Sequence, residues 1–275
     1  MTRTLRPAMS AGPPAGMGVH LLEQQPQNPW HLVEDGRLEE AVREYSRRYE
    51  QGHEVANLLG RASARLLLGD YAGALRDTQI SLAEGDPRLR ADTQHTRQGI
   101  CYWYLRQPLL AVQSWRNGLT APYTDAAGGV QVPALLLYAA ERLADAALRK
   151  EALTLLRKHG RRKSRPPRQG GFADLDIGAW PGPIVHLLLG NIDASALDGQ
   201  AARARHPHLL ARWQCQADFY VALRALRDGD LTTFRARMAH AAASSYGYLE
   251  DEYYLGRWEV ENGFPMPAFP GEVSQ

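Results

Sequence analysis

The sequence predicts an all-α fold, an α-solenoid of about five antiparallel helical hairpins, and three observations carry that expectation. Apolar residues return at three- and four-residue steps through most of residues 29–263, as amphipathic helices require, while strand-like alternation is almost absent. The pattern Gly36-Arg37-Leu38-Glu39-Glu40-Ala41-Val42 returns as Gly69-Asp70-Tyr71-Ala72-Gly73-Ala74-Leu75, with glycine and alanine each displaced by 33 residues. A third copy, running from Arg106 to Trp115, places Ala111 37 residues after Ala74. Periods of this length belong to helix–turn–helix units, which bury their apolar faces only by stacking on one another.

Taken in order, residues 1–28 read as a disordered leader, since the first 29 residues hold five prolines and few large side chains to offset the entropy of ordering. Residues 29–123 carry the three repeats, and residues 132–160 a fourth hairpin whose two helices meet at Asp145. A basic linker spans residues 161–180. Degenerate repeats and a cap then occupy residues 181–263. There we expect a short helix from Pro183, one from Ala194 to about Arg205, a long one from Pro207 to Arg227, one over residues 231–244 and a closing helix from about Tyr248. Pro183 and Pro207 suit first helical turns, where no amide donor is missed. Residues 264–275 read as a disordered tail.

Within each unit the pattern has a steric logic. Two helices approach closely only where a side chain is small, and glycine takes the left-handed turn between them. Ala62 and Gly99 supply the small residue of the first helix, Ala41, Ala74 and Ala111 that of the second, and Tyr45 and Trp115 the large one a turn later. On these residues the chain resembles the tetratricopeptide repeat. The stretch Trp180-Pro181-Gly182-Pro183-Ile184-Val185, with Leu189-Gly190, Gln214-Cys215-Gln216-Ala217-Asp218-Phe219-Tyr220, Gly229-Asp230 and Tyr248-Leu249-Glu250, is similar to the C-terminal half of NlpI-type bacterial adaptor lipoproteins. That resemblance implies a scaffold role. It departs in having no N-terminal cysteine to be lipidated, so it does not carry the membrane address.

Thirty-two basic residues against 30 acidic ones give a net charge of +2, which removes any global reason to expect nucleic-acid binding. The average hides a polarity. Residues 148–168 hold nine basic residues and one acidic, a net +8, leaving −6 on the remainder. Two cysteines, Cys101 and Cys215, sit in apolar helical patterns and read as buried thiols rather than a disulfide. With no signal-peptide core and no run long enough to span a membrane, the expected location is the cytoplasm.

No Gly-x-Ser-x-Gly, Walker or His-Glu-x-x-His motif is present, and His206-Pro207-His208 has no further ligands nearby in sequence, so we expect no catalytic residue, no metal and no cofactor. Asp125-Ala126-Ala127-Gly128-Gly129 reads as an inter-repeat turn, and Glu250-Asp251-Glu252 as an exposed first helical turn. In a tetratricopeptide register Ser63, Leu66, Thr96, Trp103 and Tyr104 face the concave groove, a mixture of rings and small polar groups suited to a peptide or helix. The basic patch of Arg157, Lys158, Arg161, Arg162, Lys163, Arg165 and Arg168 would steer a partner with an acidic surface. The expected function is a non-enzymatic adaptor or scaffold for another protein, a class that includes immunity and accessory proteins of bacterial toxin systems. The alternative, a nucleic-acid-binding helical repeat using residues 149–168, is disfavoured, since no aromatics interleave with the charges to stack bases.

Overall fold

The all-helical expectation holds. The computed structural model describes residues 29–86, 88, 91–161 and 177–265. Among them are thirteen α-helices, a 3-10 turn at Gly247–Leu249 and, in place of any strand, a single bridge between Ala91 and Tyr123. The expected leader, most of the basic linker and nearly all of the tail lie outside the described residues.

Helices α1 (Trp30–Glu34), α2 (Leu38–Gly52), α3 (Val55–Leu68), α4 (Tyr71–Glu84), α5 (Asp92–Tyr104), α6 (Pro108–Gly118), α7 (Gln131–Arg142) and α8 (Ala146–Gly160) run in sequence, each packing on its neighbours. They are followed by α9 (Gly182–Leu188), α10 (Ala194–Ala201), α11 (Pro207–Asp228), α12 (Leu231–Ala242) and α13 (Asp251–Glu261). Two boundaries differ from expectation. Helix α10 stops at Ala201, short of Arg205, and a connector leads to Pro207. The closing helix begins at Asp251, after the 3-10 turn, not at Tyr248.

The turns explain the period. At Gly69, φ is +81°, its amide donates to the Leu66 carbonyl at 3.2 Å, and the Asp70 amide donates to Arg65 at 2.9 Å, the paired bonds that satisfy the last carbonyls of α3. Asp70 then caps α4 by accepting from the Gly73 amide at 2.8 Å. Gly229-Asp230 repeats both halves of this device, with the Thr233 amide as the capped donor. The same backbone turn recurs where the sequence offers no glycine: Arg106 and Ala144 have φ of 60° and 54°, and the residue after each donates back to Tyr102 and Ala140.

One core runs from α3 to α13. A smaller one joins Val33, Ala41, Tyr45 and Ala64 at the N-terminal end. Gly99 shows why a small residue is demanded in the first helix of a hairpin, since a Cβ there would lie 2.1 Å from Trp115 Nε1. That nitrogen instead donates to the Thr96 carbonyl at 3.1 Å. Helix α13 returns to pack on α12, α11 and α5, bringing residues 251–261 against a helix some 150 residues earlier in the chain.

Candidate functional site

The five expected groove residues do come together, but α13 lies over them. Trp103 is fully buried among Trp115, Tyr138 and Trp258, with ring centroids 5.6, 5.2 and 5.8 Å away. Thr96 and Leu66 are buried as well. Tyr104 is half-buried, stacks on Tyr71 at 4.2 Å and donates its hydroxyl to the Tyr254 carbonyl at 2.7 Å. Ser63 accepts from Arg97 Nη1 at 3.1 Å. The face on which the register places these residues is therefore filled, in part by Tyr254 and Trp258 of α13. The apolar face of α13, built of Tyr254, Leu255 and Trp258, has to be covered, and α5 and α11 cover it.

The acidic run at 250–252 is a correction. All three carboxylates are buried, not exposed at a helix start. Glu252 accepts from the Tyr220 hydroxyl at 2.7 Å and lies within 3.5 Å of both Gln131 Nε2 and Gln216 Nε2. Burial, reinforced by the negative charges of Glu250 and Asp251, pushes its pKa up to about 8. Asp251 accepts from Arg97 Nε at 2.9 Å. Glu250 pairs with Arg212 and accepts from Gln216 Nε2 at 3.0 Å. Burial raises the Glu250 pKa while Arg212 opposes the shift.

Glu250 and Asp251, with Arg97, Arg212 and Gln216, form one wall of a cavity of about 290 Å³ whose other walls are the start of α5, the loop before α7 and the Trp180–Trp213 pair; Glu252 lies behind that wall and does not line it. The two indoles stack at 5.1 Å with 14° between their planes, and Trp180 Nε1 donates to Gln216 at 2.5 Å. In the loop, Asp125 accepts from the amides of Ala127, Gly129 and Gln131 at 2.9–3.1 Å, the turn expected of this stretch. Asp92 is buried at the edge of the same space. Its Oδ1 accepts from the Thr93 hydroxyl at 3.4 Å, and among the described residues Oδ2 has no hydrogen-bond partner. Burial, with Asp125 adding to it, pushes its pKa up to about 7. A carboxylate wall with titration near neutrality suits the binding of positive charge or the holding of a proton.

The basic patch lies elsewhere. Arg157, Lys158 and Arg161 are exposed at the end of α8, whereas Arg162, Lys163, Arg165 and Arg168 lie outside the described residues. Arg157 and Arg161 share a hollow of about 320 Å³ with Arg227, and among the described residues no carboxylate lines it. Arg227 donates to the Leu188 carbonyl at 2.8 Å and reaches Glu141 at 3.4 Å, an acid it shares with Arg149. Burial lowers the Arg227 pKa, against the pull of Glu141. The hollow is thus short of negative charge.

Among the described residues no group of three His, Cys, Asp or Glu side chains is placed to hold a metal ion. His206 and His208 meet edge to face at 4.9 Å, and His208 stacks on Tyr246 at 3.8 Å. Both cysteines are buried free thiols. No described helix is long and apolar enough to cross a membrane. Sequence reasoning missed Asp92, Arg97, Arg212 and Gln216, which stand apart in the chain with no motif to join them. The one available signal was Glu250-Asp251-Glu252 itself, three acids beside apolar Tyr254, Leu255 and Trp258. No protein-family model matches the chain, and no curated protein matches it.

Proposed function

We propose that this chain is a tetratricopeptide-like α-solenoid acting as a non-enzymatic adaptor, and that it takes an acidic surface of a partner protein at the arginine-lined hollow rather than in the concave groove. The observation that carries this reading is the convergence of Arg157, Arg161 and Arg227 on one hollow without a carboxylate in its lining. Exposed guanidinium groups such as those of Arg157 and Arg161 steer and orient acidic partners. The solenoid reading is supported by the recurrence of one backbone turn at Gly36, Gly69, Arg106 and Ala144. The filled groove moves the contact surface outward, because Trp103 is core.

The test is recovery of interaction partners by wild type and by the double variant Arg157→Glu, Arg161→Glu, followed by measurement of affinity against salt. The expected result is loss of the partner in the charge-reversed variant, with weaker binding as salt rises. Full recovery by that variant removes the hollow from the interface. Should the retained partner be nucleic acid, a gel shift falling steeply with salt would identify it.

A further inference from the structure

The acid-lined cavity carries an inference independent of the adaptor reading. We propose that it is a binding site for an organic cation bearing N–H donors, a primary ammonium or a guanidinium group.

The argument is one of charge matching. Each arginine in the wall has its own acid: Arg97 with Asp251 and Arg212 with Glu250. Asp125 gives its oxygens to three backbone amides. Among the described residues Asp92 has no basic partner, although it is only 3% exposed. Its Oδ2 and the Oδ2 of Asp251 are both buried without a hydrogen-bond donor, and both residues line the cavity. A buried carboxylate oxygen left without a donor is costly, so such a pair marks a place where donors are wanted.

Three features fix the ligand class. The described residues offer no set of three metal-ligating side chains here, which favours directional N–H donors over a bare ion. Trp180 and Trp213 both line the cavity, and indole is the aromatic group that attracts alkylammonium and guanidinium cations most strongly. The volume of about 290 Å³ is at the lower end of small-ligand sites, enough for one such head group and a short alkyl chain. A free amine or guanidine and a Lys or Arg side chain of a partner present the same chemistry.

The experiment titrates the full chain calorimetrically with butylguanidinium, with a short peptide containing one arginine, and with tetramethylammonium, which has no N–H. Saturable binding of butylguanidinium is expected at about millimolar affinity or better, and binding of tetramethylammonium about tenfold weaker or absent. The peptide binding more tightly than butylguanidinium assigns the site to a partner's side chain; the reverse assigns it to a free small molecule. Asp92→Asn, checked for folding by circular dichroism, should lower butylguanidinium affinity at least about tenfold. In wild type the affinity should rise from pH 6 to pH 8, since the cation competes with a proton on Asp92 while Asp125, Asp251, Glu250, Arg97 and Arg212 face it. Absence of saturable binding by both butylguanidinium and the peptide, or equal affinity in Asp92→Asn, overturns the proposal. If that variant does not fold, equal wild-type affinity at pH 6 and pH 8 overturns it.

Discussion

Two charge runs of similar length meet opposite fates in this molecule. Arg157-Lys158 and Arg161 end α8 in solvent, while Glu250-Asp251-Glu252 open α13 inside the protein. Both runs read locally as solvated helix ends. The difference lies in reciprocity: the acids have Arg97, Arg212, Gln216 and Tyr220 waiting on α5 and α11, whereas Arg157 and Arg161 have no acid in their hollow. A buried charge persists only where partners offset its desolvation. The exposed run is free to act on something outside the chain, and the buried run holds the chain together.

Breaking that contrast should produce its largest effect inside. Arg142 and Glu259 pair at 2.8 Å with both side chains fully buried, and Tyr138 donates to the same acid at 2.7 Å. Arg142→Met leaves Glu259 buried and without its cation, and should cost about 3–5 kcal/mol in urea unfolding. Trp103→Ala should cost a similar amount, about 3–5 kcal/mol, by opening a cavity among three aromatic rings. A groove-facing Trp103 would predict near-zero loss instead. Arg157→Ala, the external counterpart, should change stability by less than about 0.5 kcal/mol.

A pH series sharpens the same contrast at intermediate size. Asp92, Glu252 and Glu259 are pushed by burial to about 7, 8 and 7, while in the unfolded chain they titrate in the ordinary carboxylate range. Between those limits the unfolded chain has already released protons that the folded one retains. Raising the pH through this window therefore favours unfolding, and the urea midpoint should fall between about pH 5 and pH 8. Asp92→Asn should flatten the fall; a midpoint rising with pH would contradict the burial of these acids. A modest effect of opposite sign is expected at a turn. Ala144 adopts φ of 54° in an exposed position, so Ala144→Gly should raise stability by about 1 kcal/mol in the same assay.

The helices were legible because their causes are local: apolar spacing, glycine with φ near +80° at residues 69 and 229, and aspartate caps at 70, 145, 193 and 230. The turns at Arg106 and Ala144 were less so, because their left-handed conformation is imposed by packing and no glycine announces it. The candidate cavity was nearly invisible. Asp92, Asp125, Trp213 and Asp251 are distributed over about 160 residues, and only the return of α13 makes them neighbours. Gathering of the groove residues followed from the repeat register; their coverage did not, since a register does not say which element lies on top.

The return of α13 onto α5 also orders events during synthesis. Arg97 and Asp251 are 154 positions apart, so at 5–20 residues per second the ribosome makes the second roughly 8–30 s after the first. For that interval Trp103 lacks Trp258, Arg97 lacks its carboxylate, and the concave surface stands open on the nascent chain.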